Sequence, residues 1–202
     1  MRLYLIRHSL TPDTGKRLSS TDQSISLSPE GLALATRLGE HLRDVPLNAI
    51  YSSPHRRCRE TAAAVARGRK LRPRVADAFV EADYGKWRGR PLKSLYRLKA
   101  WQELMLSASR FRFPGGEMLS EVQARAVAGI EQLVARHPDE QVAVASHGDV
   151  IKVIVAYYLG LPLDLSHRIE PMAASVSIVD IPKQGAPRVP VLNYTVDTGR
   201  WR

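Results

Sequence analysis

A single cysteine, Cys58, stands in the 202 residues, so no internal disulfide can form and a reducing, cytoplasmic setting is expected. Long apolar runs are lacking too. The longest, Val153 to Leu163, is interrupted by Gly160 and Pro162 and is too short to span a bilayer. Arg7 and His8 cut the N-terminal apolar run before it reaches the length of a secretory leader, so neither a leader nor a membrane segment is expected. Several catalytic patterns are missing. Ala64 stands six residues after Cys58, where a cysteine phosphatase loop needs Arg, and there is no Gly-x4-Gly-Lys loop and no Gly-x-Ser-x-Gly elbow. The six histidines show no metal-ligand spacing, so neither a metal nor another cofactor is expected.

Acidic residues are scarce in one stretch only. Residues 55 to 112 hold 16 Lys and Arg against five Asp and Glu, and this stretch accounts for the whole net charge of +10. Such a region suits anionic partners in general. It contains neither a recognition helix nor a stacking motif, so a nucleic-acid partner is disfavoured, as is a membrane. At this length one core and one domain, residues 1 to 202, are expected. A homodimer is compatible with the sequence.

Leu3-Tyr4-Leu5-Ile6 reads as a buried strand that stops at Arg7-His8. A polar loop over 9–27 follows. Ser28-Pro29 then signals a helix start, with Leu32, Ala35, Leu38 and Leu42 as its apolar stripe. Ala49-Ile50-Tyr51 reads as a second strand, ending in the polar cluster 52–57, with an Ala-rich helix from Thr61 to Ala66. A short strand near Val75, a turn over 81–89 and a helix over 92–106 come next, the last carrying Leu95, Leu98, Trp101 and Met105. After the break at 113–117, a helix over 119–136 leads to a third buried strand, 142–145, which ends in Ser146-His147-Gly148. A helix over 150–159 and two strands near 175–178 and 189–194, separated by a turn at 183–187, complete the chain. Alternating strands and helices imply an α/β three-layer sandwich, with a mainly parallel sheet and an antiparallel hairpin at one edge.

Three strands thus run into polar residues of one chemical kind. If they are parallel neighbours, Arg7, His8, Arg57 and His147 meet beyond their carboxyl ends, where open α/β sheets keep their sites. Guanidiniums match phosphate oxygens, a neutral imidazole is a competent nucleophile, and the helix start after Gly148 adds backbone donors. A departing alkoxide needs a proton, and Glu81 is the candidate donor, with Asp83 its nearest competitor. Arg56 and Arg59 are expected to face solvent. His41, His137 and His167 are read as surface or packing residues, and Trp101 and Met105 as core or as a substrate lid.

With these residues the chain resembles the histidine phosphatase superfamily, the phosphoglycerate-mutase-like group. Its motifs are matched in order by Arg7-His8-Ser9 with Thr11, by Ser53-Pro54-His55-Arg56-Arg57 with Thr61-Ala62, and by Glu81, Gly85, Trp87 and Gly89. Pro114 to Glu117 and Ser146-His147-Gly148 complete the series. The resemblance implies a three-layer αβα fold, a phosphohistidine at His8, Glu81 as proton donor, and Arg7, Arg57 and His147 around the phosphate. Ser9, Thr11 and Gly148 join them as substrate-binding positions. A small phosphorylated substrate and a phosphatase follow, with mutase-type transfer as the first alternative. The second, from the basic stretch alone, is an anion- or nucleic-acid-binding protein with a vestigial pocket. The chain departs from the family's usual residues at Ser9, Leu10, Thr14, His55 and Asp149. Ser9 stands where Gly is usual, so the backbone there either needs no positive φ or carries some strain.

Overall fold

A computed structural model describes residues 1–18 and 22–196. Within the 9–27 loop, residues 19–21 lie outside it. The elements are β1 (Arg2–Arg7), α1 (Pro29–His41), β2 (Ala49–Ser52), α2 (Arg56–Ala66), β3 (Arg74–Val75), α3 (Leu92–Leu95), α4 (Lys99–Leu106), α5 (Leu119–Arg136), β4 (Gln141–Ser146), α6 (Gly148–Tyr158), β5 (Val176–Asp180) and β6 (Arg188–Tyr194). No helix among the described residues is long and apolar enough to cross a membrane.

The sheet order is β3-β2-β4-β1-β5-β6. β1, β4, β2 and β3 run parallel, while β5 and β6 form the antiparallel edge hairpin. Register matters more than order for the site. Arg7 lies opposite Ser146, and Ser52 opposite Ala145, so the three strands end level and His8, Ser53 and His147 leave the sheet together.

Central strands covered on both faces must be apolar on both, and strand alternation divides them between two cores. Leu3, Leu5, Val142 and Val144 pack with α5 and α6, while Tyr4, Ile6, Ala143 and Ala145 pack with α1 and α2. The expected sandwich is therefore present. Truncating a fully buried leucine such as Leu5 to alanine costs about 3 kcal/mol, several times any single cap, so burial rather than capping fixes these elements.

Ser28 caps α1 as expected, its Oγ accepting from the Gly31 N–H at 3.1 Å. The apolar stripe needs one correction. Leu32 is exposed, and the buried face runs through Gly31, Ala35, Leu38 and Gly39. Gly31 lies directly over the Leu10 carbonyl, and a Cβ there would come within 2.0 Å of that oxygen. Helix α1 is thus seated by backbone contact on the loop that follows His8. Two boundaries also differ. The Ala-rich helix begins at Arg56, five residues earlier than expected, which puts Arg57 in its first turn behind Pro54. The helix over 92–106 is broken into α3 and α4, with Leu98 as the cap of the second. Trp101 and Met105 are partly buried against the larger core.

A candidate phosphate-binding active site

Four elements deliver the polar side chains to one place: the end of β1, the start of α2, the turn at 81–89 and the end of β4. His8, Ser9, Ser53, His55, Arg57, Glu81 and His147 are all buried there. The His8 and His147 rings lie edge to face at 5.4 Å, and those of His55 and His147 at 4.8 Å.

Hydrogen bonding assigns the imidazole tautomers. His8 Nδ1 lies 2.7 Å from the Ser9 carbonyl, which can only accept. The ring proton is therefore on Nδ1, and Nε2 carries the lone pair. Burial lowers the His8 pKa well below the usual histidine value, and Arg57 and Arg7 lower it further, so the ring is neutral near pH 7. His147 Nδ1 lies 3.2 Å from the Arg57 NH2 group, which can only donate. The His147 proton consequently sits on Nε2, facing Ser53 Oγ at 2.8 Å and His55 Nδ1 at 3.1 Å. Burial, with Arg57 next, holds His147 neutral as well.

Arg57 is 1% exposed and also bonds His55 Nδ1 at 3.2 Å, while Arg56 and Arg59 face solvent as expected. Arg7 donates through NH1 to the Pro171 carbonyl at 2.6 Å. Its Nε is buried without a hydrogen-bond partner among the described residues, and so is Ser9 Oγ. Each such orphan costs about 1–3 kcal/mol, which is recovered only when something polar arrives. Gly148 opens α6 against the same guanidinium, a methyl group in its place touching Arg7 Nε at 3.5 Å. Ser9 needs no positive φ, and its N–H donates to Thr61 Oγ1 at 3.1 Å.

Glu81 is 4% exposed, with Oε2 at 3.8 Å from His147 Nδ1 and Oε1 accepting from the Ala82 N–H at 3.0 Å. Burial first, and then Asp149, push its pKa up to about 7. Its competitor, Asp83, is turned to local work, since it accepts from the Gly85 N–H at 2.8 Å and pairs with Arg88 at 3.3 Å at a half-exposed position. The turn carrying both is clamped from behind. Arg125 of α5 donates to the Glu81 carbonyl at 3.3 Å and pairs with Glu117, and Glu117 accepts from the Asp83 N–H at 2.8 Å. Gly85 has φ +52°, and a Cβ there would sit 2.2 Å from the Pro114 carbonyl. The Pro114 to Glu117 turn thus serves as the bed of the Glu81 turn.

Not every candidate joins the cluster. Thr11 makes its hydrogen bonds with Thr14, at 2.9 and 3.1 Å, instead of with the imidazoles or guanidiniums. Ser53 is in the cluster although it was not singled out as a site residue. Its place in the polar run after β2 was the available signal. His137 is a packing residue between Tyr51 and Glu140, and His41 bonds Tyr194 at the surface. Cys58 is fully buried beside His147, and burial raises its thiol pKa, so it stays protonated. Among the described residues no three His, Cys, Asp or Glu side chains are grouped to hold a metal ion.

Fold and site together define an α/β sandwich with a cluster of arginines and histidines at the carboxyl edge of its parallel strands. The chain belongs to the histidine phosphatase superfamily (branch 1), whose sequence profile matches residues 3–195. It is 29% identical over 196 residues to the bifunctional protein Rv2228c of Mycobacterium tuberculosis, covering 96% of this chain and 54% of that one. The chain thus spans about half the length of that curated relative. Over 170 residues it is 28% identical to phosphoserine phosphatase 1 of Hydrogenobacter thermophilus, covering 81% of this chain and 78% of that protein. The solved structure of Bacillus stearothermophilus YhfR superposes with a TM-score of 0.87 at 30% identity, covering 95% of this chain and 96% of that one.

Proposed function

We propose that the chain is a phosphomonoester hydrolase that works through a phosphohistidine at His8. The observation that carries this reading is the bond from His8 Nδ1 to the Ser9 carbonyl, which leaves the Nε2 lone pair available beside two guanidiniums. Arg7, Arg57 and His147 meet the charge of the phosphoryl oxygens without a metal ion, helped by the backbone at Gly148, with Ser9 and Thr11 further along the substrate. His8 Nε2 attacks phosphorus, the P–O bond to the alcohol breaks, and the leaving oxygen takes the proton of Glu81. Water then attacks the phosphohistidine, Glu81 recovers a proton from it, and inorganic phosphate leaves. A Glu81 pKa of about 7 suits a group that must both give and take a proton near neutral pH.

The substrate is a small phosphorylated alcohol. A relative named as a phosphoserine phosphatase supports hydrolysis as the outcome. The test is partitioning: with labelled 3-phosphoglycerate and other phosphomonoesters supplied separately, the label is expected in free phosphate. Conversion of 3-phosphoglycerate to 2-phosphoglycerate without phosphate release would instead make the chain a mutase.

A further inference from the structure

Asp149 stands at the second position of α6, directly behind His147 and Gly148, with 18% of its side-chain surface exposed. Its carboxylate accepts from the Tyr84 hydroxyl at 2.7 Å and from Lys152 Nζ at 2.8 Å. Tyr84 belongs to the turn that carries Glu81, three residues further on, and its ring is buried. Asp149 is therefore joined to the Glu81 turn from α6, as Arg125 is from α5.

We propose that Asp149 is a positioning residue for the proton donor: through Tyr84 it ties the Glu81 turn to the helix behind His147, and its fixed negative charge keeps the proton on Glu81. The inference rests on Glu81 being the general acid, as proposed above.

Two mostly buried carboxyls are divided by what each has to hold it. Around Asp149 stand Lys152, the Tyr84 hydroxyl and His167, and the start of α6 adds its positive dipole end. Burial opposes its ionisation, yet Lys152 and Tyr84 carry its pKa down to about 2. Around Glu81 stand Arg57, Arg7, His147, the Cys58 thiol, the Tyr84 phenol and Asp149 itself. The two arginines favour ionised Glu81, while burial and the Asp149 charge favour the protonated form and prevail. One carboxyl is kept charged, and its charge helps the neighbouring one hold a proton up to about neutral pH.

Charge and tether can be removed separately. Asp149→Asn keeps an acceptor for the Tyr84 hydroxyl and deletes the charge, whereas Tyr84→Phe deletes the tether and keeps the charge. Carboxyl carbon NMR of the glutamate-labelled protein reads the Glu81 titration directly, without need of turnover. Asp149→Asn should move that titration to lower pH by about one unit. Lys152→Met, which leaves the Asp149 charge less neutralised, should move it the other way. Tyr84→Phe should leave it within a few tenths of a unit and lower kcat for an alkyl phosphate. A Glu81 titration that stays at its wild-type position in both Asp149→Asn and Lys152→Met overturns the proposal. Whether Glu81 is the acid is decided separately, by comparing alkyl and aryl phosphates in Glu81→Gln.

Discussion

The two ends of the same strands treat charge in opposite ways. At the amino end of β1, Arg2 pairs with Asp180 of the neighbouring β5 at 2.8 Å, both side chains partly in water. Tyr4 donates to Gln141 at 2.7 Å, and the terminal amine to the Ile181 carbonyl at 2.8 Å. Each of these three groups, guanidinium, phenol and amine, has an acceptor. Five residues after Arg2 the same strand carries Arg7, whose Nε has none among the described residues, next to the buried His8 and His147. Cations and imidazoles crowd together there, and burial drives both ring pKa values down. The sheet meets its charges with partners at one end and leaves Arg7 Nε without one among the described residues at the other, which is where the proposed phosphate site lies.

The largest break in that contrast is expected at Glu81. Glu81→Gln should lower kcat about a hundredfold for alkyl phosphates and only a few-fold for aryl phosphates, whose leaving groups need no proton. Equal losses in steady-state assays of both substrates would remove Glu81 from the acid role. Next comes the seat of the loop after His8. Gly31→Ala should cost about 2 kcal/mol in denaturant unfolding, because the new methyl group meets the Leu10 carbonyl backbone. The smallest effect belongs to the other end. Arg2→Ala should cost about 0.5 kcal/mol by the same measurement and leave kcat unchanged, since a partly exposed ion pair contributes little.

Much of this was legible from residue order, for a physical reason. Strands buried on both faces are written as unbroken apolar runs, so Leu3 to Ile6 and Val142 to Ala145 declared both their own burial and the oddity of the residues ending them. The hairpin was equally plain from the alternation at Ser175 to Ile178. What escaped was set by contact between elements. Leu32 looked like core because helical spacing says which residues share a face and is silent on where a neighbouring backbone comes too close for side chains. Gly31 over Leu10 settled that face. The early start of α2 was hidden by the polarity of 52–57, since Arg57 is buried among imidazoles rather than in an apolar core. His55 and Asp149 stood out only as departures from the family's usual residues. Their bonds to His147 and Tyr84 depend on elements far apart in the chain.

The central claim is a covalent phosphoryl group on His8, and rapid quenching of the wild-type protein with a 32P-labelled phosphomonoester tests it most directly. The expected result is label on the peptide containing His8, stable in alkali and lost in acid as an N–P bond requires, with neither label nor turnover in His8→Ala. Label on another residue, or a His8→Ala protein that still turns over substrate at the wild-type rate, would contradict it.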